Sequence, residues 1–493
     1  MKFLDQVFHL KSHNASLKNE IIGGLVTFIA MCYILPVNSA ILGDMGMDTA
    51  GVFTMTAIVG CVVTLIMGLV ANYPIVLSAG MGLNAYIAYT VASGMGFTWN
   101  QCMILLTISG ILFFILSLTP IRKIIIEAIP TNLKYIISAA LGAFICFVGL
   151  RNSGIIVGGS TLVQLGNFAD PAMLIAICCV VLCFTLMFLK KKIISSLAIP
   201  ISILAAAVIG VIVSSIMINN GAMNINIIDG QWHYDVMGTD TVSKLPVAPW
   251  LDNVSWGASG VQNVVFYGLL SGSYSGQQFG DDIVKVFVTP GSYVAIFSLI
   301  FVNLFDTTAT LLAVGKNTGI IDKDGKMQNY QRAVLADATG ALICAPLGTS
   351  TVTSFAESNI GVELGAKTGL AAVVAAILFL ISAFAYPIFS IFTAGSVTAP
   401  ALVCVGAMIF VGNFKDIDMK DGVVGFTAFI TVIFSVLTYS IATGIGIGLI
   451  CFTFMMLVSR RHKEVKAPIY IIAGLFVLSF ALTSILPFFT SVS

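Results

Sequence analysis

Residues 346–357, PLGTSTVTSFAE, place a proline, a run of small and β-branched residues and a glutamate inside a long apolar segment. Residues 74–84, PIVLSAGMGLN, repeat this design with an asparagine in place of the glutamate. The polar residue follows its proline by 11 residues in the first case and by 10 in the second. Because proline removes a helical hydrogen bond and β-branched residues favour strands, the pattern predicts two broken helices that carry short strands.

The composition places these segments in a membrane protein. Hydrophobic residues make up 58% of the 493 residues and charged residues 9%, and the mean hydropathy is +1.02. Apolar runs of this kind predict membrane-spanning helices. They cover residues 21–42, 52–71, 74–93, 101–119, 132–150, 171–189, 197–218, 292–314, 332–345, 346–365, 369–390, 397–412, 422–437, 439–458 and 468–489. The sequence therefore predicts an all-α polytopic membrane protein whose first apolar run is retained as a helix.

The distribution of positive charge predicts the orientation. If residues 1–20 are cytoplasmic, 20 of the 23 Lys and Arg residues fall on the cytoplasmic side. Only Arg151, Lys244 and Lys285 fall on the other side, together with the long polar loop 219–291. The positive-inside rule thus favours a cytoplasmic N-terminus in the cell membrane. The net charge of +1 gives no argument for a nucleic-acid partner.

The two proline-broken segments are the third and the tenth along the chain. A separation of seven predicts two seven-helix repeats of inverted orientation. In transporters of that kind, broken helices expose backbone groups to a substrate near the middle of the bilayer. The run 468–489 is surplus to fourteen helices, so it is either a further span or a peripheral helix.

Two carboxylates, Asp306 and Glu357, lie within apolar segments. Ionisable groups in a bilayer are costly, and they usually mark a transport or proton pathway. The alternative for Glu357 is a capping box with Ser354, three residues earlier. The alternative for Asp306 is a structural hydrogen bond to a neighbouring helix. All four histidines lie outside the apolar segments, so a coupled proton has to ride on a carboxylate.

Three further side chains have two readings each. Asn84 either binds a substrate or joins two helices, as amides often do in bundles. Phe355 either stacks on a planar substrate or belongs to the apolar core. Asp337 is expected to pair either within the scaffold or with the loop before it.

The charges inside the spans limit the substrate. No Lys or Arg falls in the middle of a span, which disfavours an anion. A carboxylate can accept hydrogen bonds from ring N–H and amino groups, so a neutral planar molecule fits better. No nucleophile or phosphate-loop motif of an enzyme is found. The ten cysteines lack C-x-x-C spacing, which favours packing over metal or disulfide chemistry.

Four stretches carry a family resemblance: GLVTFIAMCYILPVN at 24–38, SAGMGLNAY at 78–86, FDTT at 305–308 and GTSTVTSFAES at 348–358. Together they resemble the azaguanine-type purine permease branch of the xanthine/uracil nucleobase permease family. The resemblance implies fourteen helices in two domains. The implied parts are a leader 1–20, a core domain of 21–119 and 292–390, a gate domain of 120–218 and 391–459, the loop 219–291 and a C-terminal segment 460–493.

The same resemblance implies import of purine bases by proton symport, with guanine and hypoxanthine favoured and adenine as the other candidate. A sodium-coupled carrier and an anion exchanger on the same fold are the alternatives. The implied partners are the purine and the lipid bilayer, without a metal or organic cofactor; a homodimer is left open.

The resemblance also assigns the site. Glu357 and Asp306 would bind the purine and couple the proton. The resemblance also implies Asn84 as the binding amide, and the sequence itself adds Phe355, Ser354, Thr353, Gly80 and Thr27 to the predicted substrate-binding residues. The chain departs from the family pattern at Asn303, where relatives commonly have aspartate, and at Ala309, where they commonly have glycine.

Overall fold

The computed structural model is a helical bundle. It describes residues 2–119, 130–159, 162–191, 194–195, 197–220, 223–228, 231–236, 245–246, 260–272, 274–318, 328–355 and 357–490. Much of the predicted loop 219–291, including Lys244, therefore lies outside the described residues.

Helices and short strands alternate in the first half of the chain. The helices are α1 (Lys2–Phe8), α2 (Leu17–Met31), α3 (Ile34–Gly43), α4 (Thr49–Ile66), α5 (Met81–Ala85), α6 (Trp99–Leu118), α7 (Thr131–Asn152), α8 (Pro171–Met187) and α9 (Ala198–Asn219). The strands are β1 (Leu77–Ala79), β2 (Ile156–Gly159), β3 (Leu162–Leu165), β4 (Met223–Ile228) and β5 (Gln231–Val236). Helices α4 and α5 continue as π-helical turns over Met67–Ala71 and Tyr86–Gly94.

The second half of the chain also consists mainly of helices, with one short strand. Its helices are α10 (Val261–Val264), α11 (Gly276–Val288), α12 (Pro290–Thr318), α13 (Tyr330–Ile343), α14 (Ser358–Glu363), α15 (Gly369–Ser382), α16 (Tyr386–Phe389), α17 (Gly395–Phe414), α18 (Gly422–Leu437), α19 (Ile441–Val458) and α20 (Ala467–Thr490). Strand β6 (Val352–Ser354) precedes α14, and 3-10 turns cover Val265–Ser271, Ser390–Thr393 and His462–Glu464.

Helix length and composition agree with the predicted all-α membrane protein. Among the described residues, seven helical segments are long and apolar enough to cross a bilayer. The bent pair Gly369–Ser382 and Tyr386–Thr393, with an angle of 92°, brings the number to eight if it is one span. Shorter apolar helices, including α8, α18 and α19, occupy the positions of other predicted spans.

The two proline-broken segments meet in the interior of the bundle. Strand β1 pairs with β6 in antiparallel orientation, with Ser78 opposite Thr353. The Gly80 N–H donates to the Thr351 carbonyl at 2.9 Å, which extends the pairing past the strand end. Every residue of both strands is buried. The prediction of a short strand in each broken segment is therefore confirmed.

The helices pack in two groups, and each group draws on both halves of the chain. The first group contains α2–α6 and α12–α15, and the second contains α7–α9 and α17–α19. Helices α7 and α17 of the second group approach closely at two glycines. A Cβ atom on Gly142 would lie 2.4 Å from the Phe410 backbone nitrogen, and one on Gly406 would lie 2.4 Å from that of Cys146. Only glycine permits such contact between helix backbones.

One end of the bundle carries residues 2–16 and is called the leader end here. Phe8 and Leu10 pack on Leu370 of α15. The buried Glu20 carboxylate accepts the N–H groups of Lys367, Thr368 and Ala371 at 2.8, 3.1 and 3.2 Å. Because the first N–H groups of a helix lack intrahelical partners, Glu20 completes the start of α15.

A polar and aromatic cluster joins the two helix groups at the opposite, far end. The Tyr89 hydroxyl donates to Asp44 Oδ2 at 2.6 Å and accepts from Asn152 Nδ2 at 2.5 Å. The Arg151 guanidinium lies 4.7 Å from the ring centroid of Tyr439. Asp44 and Tyr89 belong to the first group, whereas the other three residues belong to the second. The cluster therefore connects the groups at this end.

Part of the long loop folds onto the far end of the first group. Asn263 Nδ2 donates to Asp48 Oδ2 at 2.6 Å, and the Phe266 N–H donates to the Pro346 carbonyl at 2.7 Å. Phe266 and Tyr267 adopt left-handed backbone conformations, with φ of 47° and 61°. The loop is thus attached directly to the beginning of the tenth predicted segment.

The surplus run 468–489 forms α20 and packs against both α12 and α19. The Phe476 ring meets that of Phe297 at a centroid distance of 5.4 Å. A Cβ atom on Gly446 would lie 2.5 Å from the Phe476 ring, so glycine makes room for this aromatic side chain. Helix α20 is an integrated element of the bundle that contacts both helix groups.

Candidate functional site

Asp306 and Glu357 are brought together by the meeting of α12 with the strand pair. Asp306 lies within α12, and Glu357 directly precedes α14. The two carboxylates lie within electrostatic range of each other, and the Thr353 side chain lies beside Asp306. Both carboxylates are partly exposed, although they lie in the middle of apolar segments. An accessible pair of acids can accept hydrogen bonds from a ligand and can carry a proton.

Glu357 is positioned by backbone contacts on one side and by a tyrosine on the other. The Phe355 N–H donates to the Val76 carbonyl at 3.0 Å, and the Val76 N–H donates to Ser358 Oγ at 3.0 Å. The Tyr33 hydroxyl donates to Glu357 Oε1 at 2.7 Å. The carboxylate is therefore fixed relative to the strands as well as to the first apolar segment.

The capping-box reading of Glu357 does not hold. The Ser354 hydroxyl is buried and has no hydrogen-bond partner among the described residues. Helix α14 begins after Glu357 without a side-chain cap. Since neither half of the reciprocal pair forms, local helix capping does not account for this glutamate.

Asn84 lies in a closed polar network. Its Nδ2 donates to Asn38 Oδ1 at 2.5 Å, and its Oδ1 accepts the Ser350 hydroxyl. Asn38 Nδ2 donates in turn to Thr56 Oγ1 at 2.8 Å and Thr349 Oγ1 at 3.0 Å. We call these five residues the Asn38 network. Asn84 is 0% exposed, and both its amide nitrogen and its oxygen are engaged within this network.

Three other predicted binding residues lie in close-packed surroundings. A Cβ atom on Gly361 would lie 2.3 Å from Thr27 Oγ1, so Thr27 fills the crossing of α2 and α14. A Cβ atom on Gly80 would lie 2.8 Å from Thr353 Cγ2, so this position admits only glycine. Phe355 is 6% exposed and belongs to the apolar core. These residues shape the strand pair and its surroundings.

Asp337 also belongs to the scaffold. It is 0% exposed, and its Oδ2 accepts the Thr307 hydroxyl at 2.7 Å. Thr307 is the neighbour of Asp306 on α12. The contact therefore connects α13 to the helix that carries the first carboxylate.

Comparison with known proteins identifies the family. A model described as a permease family, Xan_ur_permease, matches residues 18–447. The chain belongs to the xanthine/uracil permease family. As a member of a permease family it is a transporter and not an enzyme, as the sequence predicts.

Named relatives and a solved structure resemble this permease over most of its length. It is 37% identical to the guanine/hypoxanthine permease PbuG of Bacillus subtilis, over 96% of this chain and 98% of the relative. It is 32% identical to the adenine permease AdeP of Escherichia coli, over 96% of this chain and 95% of the relative. The murine anion transporter Slc26a9 has a similar fold, with a TM-score of 0.59 at 11% identity, over 93% of this chain and 72% of that structure.

The sequence analysis missed two residues of this permease. Tyr33 and Asn38 both lie in the first apolar segment, and each contacts a residue that the sequence did predict. A phenol and an amide are uncharged at neutral pH, so they are less conspicuous in an apolar segment than a carboxylate is. Their common signal is a polar side chain that is almost fully buried, with exposures of 3% and 0%.

Proposed function

We propose that this permease imports purine nucleobases, guanine and hypoxanthine in preference to adenine, by symport with protons. The observation that carries the proposal is the pair of accessible carboxylates beside paired strands in an otherwise apolar interior. The relatives suggest the substrate class, since they include permeases named for guanine, hypoxanthine and adenine.

The chemistry of the pair suits a purine. Hypoxanthine and guanine carry a ring N1–H, which can donate to the Glu357 carboxylate, and adenine carries a 6-amino group. The buried Ser354 hydroxyl has no hydrogen-bond partner within the described part of the chain, and in this proposal it pairs with a polar atom of the base. Leaving such a hydroxyl unpaired is costly, so a bound base that pairs with it gains affinity.

The coupling proton is proposed to ride on Asp306 or Glu357. Two negative charges close together in a medium of low dielectric constant repel each other. A proton on either group removes this repulsion, and a base that leaves with the proton restores it. Thr353 connects the protonation of Asp306 to the strand pair, because its side chain lies beside Asp306 and its backbone is paired with Ser78.

The finer architecture is part of the proposal. Fourteen spans would form two inverted seven-helix repeats, with residues 21–119 and 292–390 as the core domain and 120–218 and 391–459 as the gate domain. The observed packing of helices in two groups supports this division. The positive-inside count favours a cytoplasmic leader end in the cell membrane. Import then requires the first group to move against the second.

The test is uptake of radiolabelled hypoxanthine by cells that lack their own purine carriers. We expect uptake to collapse with a protonophore, to continue when choline replaces sodium, and to be inhibited more strongly by guanine than by adenine. Loss of uptake in choline buffer would indicate that the coupling ion is sodium and not the proton. Stronger inhibition by adenine than by guanine would indicate that adenine is the preferred base. Absence of purine uptake in membranes that contain the protein would refute the proposal.

A further inference from the structure

Tyr33 occupies one oxygen of the carboxylate on which the proposed function depends. Its hydroxyl donates to Glu357 Oε1 at 2.7 Å, and no other side chain among the described residues hydrogen-bonds this carboxylate. An ionised carboxylate has two acceptor oxygens. The Tyr33 phenol uses one lone pair of Oε1 and covers that side of it, so Oε2 is the oxygen whose accepting capacity is fully left for a ligand.

The phenol is held in this position by its place in the chain. Tyr33 lies at the junction of α2 and α3 within one continuous span, and its carbonyl accepts the Val37 N–H at 3.1 Å. Its side chain is 3% exposed and belongs to the apolar core. A closely packed ring has little freedom to turn, so the hydroxyl is expected to stay on Oε1 when a ligand reaches Oε2.

We propose that Tyr33 determines substrate specificity by limiting Glu357 to one donor of the base. The inference rests on the proposed function. Hypoxanthine offers the ring N1–H, whereas guanine offers N1–H and a 2-amino group side by side. Two adjacent donors can engage both oxygens of a free carboxylate. With Oε1 already taken by Tyr33, the 2-amino group adds little, and the site accepts the two bases with similar affinity.

The experiment compares Tyr33→Phe with a matched control, Tyr386→Phe. The Tyr386 hydroxyl shares a hydrogen bond of 2.9 Å with Thr49, and its side chain is 9% exposed. Inhibition of hypoxanthine uptake by guanine and by unlabelled hypoxanthine gives the ratio of their affinities. Removal of the Tyr33 hydroxyl frees Oε1, so the ratio should shift about tenfold toward guanine, the effect of one added hydrogen bond to a charged group. Tyr386→Phe should leave the ratio unchanged.

A structural role for Tyr33 would lower the amount of folded permease without changing this ratio. An unchanged ratio in Tyr33→Phe, with both bases taken up by the wild type, therefore overturns this inference and leaves the proposed function intact. A wild type that takes up neither base overturns both.

The wild type provides a second test that does not depend on folding of the variant. Guanine and hypoxanthine should agree within about threefold in affinity, because the second donor adds little there. Hypoxanthine methylated at N1 should not compete, because it lacks the donor. Binding of guanine more than about tenfold tighter than that of hypoxanthine would mean that guanine donates to both oxygens of the Glu357 carboxylate, contrary to the inference.

Discussion

The third and tenth segments share a proline, a three-residue strand and a polar side chain, yet the two polar side chains have opposite surroundings. Asn84 uses its amide nitrogen and its oxygen within the Asn38 network. Glu357 shares one oxygen with Tyr33 and remains partly exposed. Similar places in the two broken segments therefore need not leave their polar side chains equally open. A buried polar group is available to a ligand only to the extent that the protein leaves its hydrogen-bonding capacity unused.

The largest expected effect is that of Glu357→Gln. Glutamine keeps the shape and an acceptor for Tyr33, but it can neither carry the charge nor take up a proton. Accumulation of hypoxanthine should therefore be abolished, while the thermal stability of the purified protein stays close to that of the wild type. Uptake assays and thermal unfolding measure the two quantities. Normal accumulation by this variant would remove Glu357 from the site.

Asp306→Asn should separate coupling from binding. The amide keeps the shape of the carboxylate and can still accept a hydrogen bond, but it cannot take up or release the coupled proton. We expect proteoliposomes to exchange labelled for unlabelled hypoxanthine but to lose accumulation driven by a pH gradient. The matched control is Asp337→Asn, because Asp337 contacts the neighbouring Thr307 instead. Retained accumulation in Asp306→Asn would leave Glu357 as the sole proton carrier.

Asn84→Ala tests whether the Asn84 side chain serves the Asn38 network rather than the substrate. It leaves buried partners in the Asn38 network unsatisfied, which typically costs about 1–3 kcal/mol of unfolding free energy. The melting temperature should fall, and the affinity of the folded protein for hypoxanthine should change much less. Asn38→Ala should behave in the same way, because both residues belong to one network. An Asn84→Ala variant with normal stability and lost binding would restore Asn84 as a direct ligand.

The smallest expected effect is that of Arg461→Gln at the leader end. Arg461 donates to both Glu464 oxygens, at 2.9 and 2.8 Å, and this hydrogen bonding lowers the pKa of Glu464 from its ordinary 4.5. A folded-state pKa below the unfolded one stabilises the protein above the unfolded value, and that stabilisation is lost as the pH falls through the folded pKa. The wild type should melt slightly above the variant at neutral pH, and the difference should disappear as the pH falls below the folded-state pKa of Glu464.

This last variant should leave uptake unchanged, because the ion pair lies in water, where such contacts contribute little. A clear loss of uptake would place the leader end in the transport cycle. The surface of the protein at this end would then matter for transport in addition to the two broken segments.

Much of the fold could be predicted because its signals are local. Prolines 74 and 346 and the β-branched residues after 348 mark the breaks, and the strands Leu77–Ala79 and Val352–Ser354 form at those places. Asp306 and Glu357 could be selected because a charge inside an apolar run is conspicuous. Asn84 was selected by its place after Pro74 in the broken segment, but whether an amide in a span faces a ligand or another amide depends on residues far away in the chain.

The sequence by itself determined a multi-pass permease with two broken segments and two buried acids, because hydrophobicity, proline placement and charge act through neighbouring residues. Only the tertiary structure decided which polar groups remain open. Tyr33 reaches Glu357 across 324 positions of the chain, and Asn38 reaches Thr349 across 311. Such partners are chosen by the packing of whole helices, in which the burial of many apolar side chains outweighs any single hydrogen bond.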